Sequence, residues 1–234
     1  MAPLKITVSG SSTISRSPER CLLRVSVRSE GPHQELVSKE VGLASNQVHQ
    51  IFKELSPKTE EGLATAQAPV TKFSNTLLST RSTVPLDHDN KPLPRVYHAH
   101  SSFQAIFRNF VTLGEVVSQL ATYPKIEIDK IDWHLTDETK KALGSESRNL
   151  AMYDAIQKAN DYAEVVGQKV VAVHITDEGQ VSHGRTLQSA RTFVPTAGMG
   201  YSVSPEGGPV IDLTPQDIEF RGSVEVTFEA VSEN

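Results

Sequence analysis

The amino-acid sequence predicts an α+β fold, a mainly antiparallel sheet with helices packed on one face. Two observations predict it. Short runs in which apolar and polar residues alternate recur along the chain and stop at Gly, Pro, Asn and Asp clusters, the mark of strands buried on one side. Stretches of helical periodicity separate those runs, giving the order β-β-α-β-β-α-β-α-β-loop-β. That order suggests two similar β-β-α-β halves within a single domain of 234 residues, although no residue-level repeat is visible.

Leu4, Ile6 and Val8 alternate with polar residues and predict a first strand, interrupted at Ser9-Gly10-Ser11-Ser12. Ser17-Pro18-Glu19-Arg20 is a turn, because proline presets φ and cannot donate to a ladder. Leu23, Val25 and Val27 then alternate with Arg24, Ser26 and Arg28, a strand with one wet face. Gly31-Pro32 opens a helix from about His33 to Leu55. Its apolar face is Leu36, Leu43, Val48, Ile51, Phe52 and Leu55, and Ser56-Pro57 ends it. Gly42 is a mild cost within that helix. After a polar connection, Val70–Val84 reads as extended. Val96–Phe110 resumes alternation with Ala99, Phe103, Ala105 and Phe107, so the two runs flank the Asp87–Pro94 loop as a long hairpin would.

A short helix is expected from Leu113 to Leu120, ending at Tyr123-Pro124. Ile126, Ile128, Ile131, Trp133 and Leu135 form a strand whose alternation slips by one at Asp129-Lys130, and Thr136-Asp137 is an N-cap signal. The helix that follows is the most legible in the chain. Ala151, Ala155, Ala159 and Ala163 recur every four residues and line one narrow stripe, which Leu150, Ile156, Tyr162 and Val166 widen. Alanine carries little bulk, so whatever packs on this stripe comes close. Gly144-Ser145 offers a place for a kink, and Gly167 supplies a left-handed stop. Val170, Val171, Val173 and Ile175 are β-branched and bounded by Asp177–Gly179, a strand with a turn behind it. Val181–Pro215 is crowded with Pro and Gly and reads as a long surface loop. Ile218, Phe220, Val224, Val226, Phe228 and Val231 form a closing strand, with a bulge expected at Arg221-Gly222.

Composition narrows the function. With 23 basic and 28 acidic residues the net charge is −5, and no Lys/Arg cluster overrides it, which argues against a nucleic-acid partner. No run approaches the ~20 apolar residues that a membrane-spanning helix requires. The opening MAPLKITVSG leads straight into strand sequence with no signal-peptide pattern. Cys21 is alone, so no disulfide forms within the sequence; beside Leu22 and Leu23 it reads as a small buried hydrophobe rather than a reactive thiol. The expected location is cytoplasmic, with the nucleus as an extension of it.

Three segments together resemble the SIMPL-domain family, named for a protein that associates with a pelle-like signalling kinase and including periplasmic immunogenic proteins of bacteria. The first is Ile6-x-Val8-x-Gly10 with Ser17-Pro18-Glu19 and the strand Leu23–Val27. The second is Tyr97 with the strand after it and the helix around Leu113–Leu120. The third is Ile131-x-Trp133-x-Leu135, then Ala151, Asp154-Ala155, Lys158-Ala159, Ala163 and Gly167, then the valine strand. The bacterial relatives carry an export signal that this sequence does not show, and the Val181–Pro215 region has no counterpart in the pattern. The resemblance implies an α+β domain that self-assembles, and it implies no known reaction.

The chemistry-bearing residues form no motif. His98 and His100 share one face of a strand and Asp87-His88-Asp89 lies on the nearby loop, a conceivable divalent site, yet the spacing fits no tight metal motif. His134 and His174 read as members of a solvated strand face. Gly-x-Ser-x-Gly and phosphate-loop patterns are missing, and Glu60-Glu61, like Asp87 and Asp89, pair only in sequence. Arg185, Arg191 and Arg221 border a stretch carrying Ser182, Thr186, Ser189, Thr192, Ser202 and Ser204-Pro205, where phosphate could pair with arginine; a tolerated insertion explains the stretch as well. No catalytic, cofactor-binding or metal-ligating residue is assigned, and no cofactor is expected. The leading expectation is a non-enzymatic, self-associating scaffold or interaction module in signalling or stress response. It would be a homo-oligomer that pairs through unpaired edges at Leu4–Val8 or Ile218–Val231, with a signalling protein as a further partner. The alternative is a small-ligand-binding protein or enzyme with a pocket between sheet and helices.

Overall fold

The computed structural model describes residues 4–183, 186–188 and 213–231. In chain order the elements are β1 (Lys5–Arg16), β2 (Arg20–Gly31), α1 (Gln34–Glu54), β3 (Val70–Asn75), β4 (Ser79–Thr83), β5 (Val96–Phe107), α2 (Phe110–Leu120), β6 (Ile126–His134), α3 (Asp137–Val165), β7 (Lys169–His183), β8 (Thr186–Gln188) and β9 (Ile218–Val231). Every strand pair among the described residues is antiparallel, so the fold is α+β. Two compact units interleave along the chain. One holds β1, α3, β7 and β9; the other holds β2 to β6, β8, α1 and α2.

In the first unit the strand order is β1-β9-β7. β1 and β9 pair without a break from Lys5↔Glu229 to Arg16↔Ile218. Period-two alternation therefore turns Ile218, Phe220, Val224, Val226 and Phe228 to one face, where all are buried. α3 lies on that face. Ala151, Ala155 and Ala159 pack against Val224, Val226 and Phe228, with Ile6, Val8, Met152 and Val170 at the margins. The close approach foreseen from the alanines is real and has its counterpart on β1. A Cβ added to Gly10 would stand 2.0 Å from the Ala151 carbonyl oxygen and 2.8 Å from the Ala155 Cβ. The helix backbone rests almost directly on the strand backbone.

This closeness corrects the expected helix face. Leu150, Ile156, Tyr162 and Val166 are exposed and do not widen the stripe, because a helix so near the sheet contacts it mainly through its small side chains. α3 also runs through Gly144-Ser145 as one helix. Its N-cap is Thr136, whose hydroxyl accepts the Thr139 N–H at 3.4 Å, and Gly167 adopts φ 65° at the other end.

Three further expectations change. Asp177–Gly179 is a bulge inside β7 rather than a turn: Asp177 pairs with Val224 and Gln180 with Gly222, so β7 carries one residue more than β9 there. The Asp177 carboxylate accepts the Gly179 N–H at 2.8 Å and Gly179 takes φ 87°, which holds the bulge. Arg221-Gly222 is in regular register with both neighbours and is not a bulge. The stretch beginning at Val181 continues β7 to His183 and supplies β8, which pairs with β6; 184–185 and 189–212, with most of the expected loop, lie outside the described residues.

In the second unit the order is β3-β5-β2-β6-β8, with β4 on the same edge of β5 as β3. The extended stretch thus splits in two, β3 along the Phe103–Phe107 end of β5 and β4 along Val96–His100. Cys21, Leu23, Val25 and Val27 of β2 are wholly buried. α1 buries Val37, Val41, Ala44, Val48 and Phe52, not the leucines expected; Leu36 and Leu43 are 58% and 60% exposed. Phe52 packs on Phe73, Phe103 and Phe107 with centroids 6.1 to 6.3 Å apart. The slip read at Asp129-Lys130 is a β6 bulge, since Arg24 pairs with Lys130 and Val25 with Ile128. α2 begins at Phe110, earlier than expected, because Asn109 caps it by accepting the Val111 and Thr112 N–H groups. Phe110 then meets Trp133 edge-to-face at 4.9 Å.

Two glycine replacements of opposite sign test this packing. Gly10→Ala, which forces α3 off β1, is expected to cost about 3 kcal/mol in urea unfolding. Gly42→Ala, in α1 with nothing within 4 Å of the new methyl, is expected to stabilise by about 1 kcal/mol.

Candidate functional site

Asp154 and Lys158 are one helical turn apart on α3 and reach the outer edge of β1. The Asp154 carboxylate accepts the Ser11 N–H at 2.8 Å, and the Lys158 ammonium donates to the Ser9 carbonyl at 3.0 Å and to Asp154 at 2.7 Å. Ser9 and Ser11 have the same strand parity, so these are the backbone groups turned away from β9. An i,i+4 ion pair thus occupies an edge that would otherwise accept another strand. The Lys158 hydrogen bond, then the Ser11 N–H, hold the Asp154 carboxyl below its ordinary value of 3.8. Two turns before Asp154 on α3, Ser12 and Ser147 meet through their buried hydroxyls at 2.7 Å, and the Ser12 hydroxyl donates to the Ser147 carbonyl at 2.9 Å.

A second polar cluster ties α1 to β2. The Ser29 hydroxyl donates to Glu40 at 2.5 Å, and Lys125 donates to Glu40 at 2.7 Å and to Ser29 at 3.0 Å. A serine touching both a lysine and a carboxylate resembles a nucleophile with its base. The electrostatics point elsewhere: the Lys125 hydrogen bond, then that of Ser29, hold the Glu40 carboxyl below its ordinary 4.5, which makes it a poorer base. The arrangement acts as a clasp, with the Arg28 N–H on the Lys125 carbonyl at 2.9 Å beside it.

A cleft of about 430 Å³ opens in the second unit between the end of α1 and β3, lined by His49, Lys53, Ser56, Pro57, Lys58 and Phe73. The His49 ring stands edge-on to Phe73 at 5.4 Å. Nothing in the sequence pattern marked these residues as neighbours; the α1 end and β3 meet through the Val70 N–H on the Leu55 carbonyl at 3.0 Å and the rings of Phe52 and Phe73.

The histidines and carboxylates singled out from the sequence do not converge. His98 bonds Thr83 at 3.0 Å and lies 3.4 Å from Glu30. Asp87 folds its own loop, accepting the Asp89 and Lys91 N–H groups at 2.8 Å. His174 is exposed and bonds Thr176. Among the described residues no group of three His, Cys, Asp or Glu side chains could hold a metal ion. Burial, then the nearby Asp132 charge, pushes the Cys21 thiol far above its ordinary range, so it is the small buried hydrophobe expected. Arg221 is exposed and paired with Glu219 at 2.5 Å; Arg185, Arg191, Ser189, Thr192, Ser202 and Ser204-Pro205 lie outside the described residues. No helix among the described residues is long and apolar enough to cross a membrane.

Asp154 and Glu40 both have lowered folded-state values, so each contributes stability above its ordinary value and loses it as pH falls through the lower one. Asp154→Asn and Glu40→Gln are therefore expected to be less stable than the native chain at pH 7. The gap should close as urea unfolding is repeated from pH 5 down to pH 2; a gap independent of pH would reject the ion-pair account.

The family described as "SIMPL: Protein of unknown function (DUF541)" matches residues 6–228. No curated protein matches the chain. With nearly its whole length covered, this chain belongs to the SIMPL family.

Proposed function

We propose that this chain is a non-enzymatic interaction module of the cytosol or nucleus that assembles with a second copy of itself through the outer edge of β7. The supporting observation is the unlike state of the two edges of the first unit's sheet. On β1 the Asp154–Lys158 pair occupies the outward backbone groups of Ser9 and Ser11. On β7 no strand among the described residues pairs with the outer edge, and Val171, Val173 and Ile175 are 51%, 50% and 57% exposed. Unpaired N–H and C=O groups beside exposed β-branched side chains are what strand addition uses.

This moves the assembly edge from where the sequence placed it. Ile218–Val231 is β9, the middle strand, paired on both sides, so it offers no edge. Leu4–Val8 belongs to β1, whose central groups are taken. The β7 bulges at Val173 and at Asp177–Gly179 break the open edge into short runs, which suits a closed contact between two copies better than an endless ladder. A signalling protein remains the further partner this reading allows, through the same strand-addition chemistry.

Light scattering coupled to size exclusion at several concentrations tests it. The native chain is expected at a stable multiple of 25.6 kDa, and Val171→Lys with Val173→Lys at 25.6 kDa. Ser15→Lys on β1 should keep the native mass. A native monomer at every concentration would remove assembly as the working principle.

A further inference from the structure

The cleft at the end of α1 has a chemistry that assembly does not use. Its wall is apolar: Phe73, Pro57 and the stems of two lysines. Its charge is of one sign. Lys53 and Lys58 line it, and no acidic side chain is among the lining residues. In a chain of net charge −5 this is a local reversal. Lys53 and Lys58, like Lys39, Lys72 and Lys141, have no ion-pair partner among the described residues, so their charges are not already matched. The acid next to Lys53 in sequence, Glu54, accepts the Gln50 amide at 2.7 Å. At the helix end the Lys53 carbonyl takes the Ser56 N–H at 3.2 Å and the Leu55 carbonyl takes the Val70 N–H at 3.0 Å.

We propose that this cleft binds a small organic anion with an aromatic body, of the arylalkanoate class. The ring packs against Phe73 and Pro57, where His49 already stands edge-on at 5.4 Å and sets the orientation a second ring would adopt. The carboxylate meets the Lys53 and Lys58 ammonium groups in charge-assisted hydrogen bonds. The volume of about 430 Å³ lies within the roughly 300–1,000 Å³ of small-molecule sites, ample for a ring with a two- or three-carbon acid. An inorganic anion would satisfy the lysines and leave the apolar wall wet, and a neutral aryl alcohol would leave both charges unmatched; the site selects the molecule that carries both parts.

Titration of the full-length ¹⁵N-labelled chain with 3-phenylpropionate, 3-phenylpropanol and inorganic phosphate, followed by amide shifts, tests this. Saturable shifts confined to the segments around His49–Lys58 and Phe73 are expected with 3-phenylpropionate. Affinity should be about tenfold weaker for the alcohol and for phosphate, a factor worth about 1.4 kcal/mol. Lys53→Gln with Lys58→Gln, both at exposed positions, should abolish the shifts while leaving the remaining spectrum in place. Phe73→Leu keeps an apolar filler and should weaken 3-phenylpropionate without affecting phosphate. Absence of saturable shifts with 3-phenylpropionate, equal binding of the alcohol or of phosphate, or unchanged binding in the double-lysine variant would each overturn the proposal.

Discussion

The contact between Gly10 and the backbone of Ala151 and Ala155 sets the geometry of the first unit. Helices normally stand off a sheet by the length of their side chains. Here one side supplies methyl groups and the other a hydrogen atom, so backbone meets backbone. Three consequences follow from that one distance. Along the stretch from Ala151 to Ala163 only the alanines of α3 are buried, leaving larger apolar neighbours such as Ile156 and Tyr162 in solvent. Side chains flanking the stripe become long enough to reach past the strand, so Asp154 and Lys158 engage the β1 edge. The hydroxyls of Ser12 and Ser147 come within 2.7 Å and satisfy each other in a buried place where larger groups would not fit. Dispersion over a short, well-fitted strip takes the part that a thick apolar layer plays elsewhere.

The second unit solves the same problem with bulk. Three phenylalanines meet around Phe52, and α1 is held at its other end by the Ser29–Glu40–Lys125 clasp. One end of the helix is fixed by apolar volume and the other by directional polar contacts. The cleft sits at the apolar end, where α1 stops at Leu55 and the chain departs through Pro57, so the helix end leaves a gap beside Phe73 that no side chain fills.

Local features of this architecture were legible in the sequence because they depend on neighbours within a turn or two. The every-fourth alanine, the Thr136 cap, the Gly167 stop and the slip at Asp129-Lys130 all follow from local periodicity and geometry. Pairing was not legible. That β9 is a middle strand depends on β7 and β1 both choosing it, and the same alternation would serve an edge. The α1 face departs from its leucines because the groove over β2 and β5 accepts the smaller Val37, Val41 and Ala44. The target of the Asp154–Lys158 pair, two backbone groups of a strand over 140 positions away, leaves no mark in the helix sequence. The cleft was invisible for the same reason.

The pairing of β1 with β9 also bears on how the protein is made. Lys5 must find Glu229, and Arg16 must find Ile218, so a strand made before β2 to β6 is matched by one made after them all. At about 5–20 residues per second, the interval between them is on the order of tens of seconds. The strands β2 to β6 and both of their helices emerge inside that interval, with most of their own partners already present. During synthesis the nascent chain therefore carries a finished or nearly finished second unit beside a first strand and an α3 that wait for β9. The serines and threonines along β1, in place of a continuous apolar run, keep that waiting strand soluble until its partner arrives.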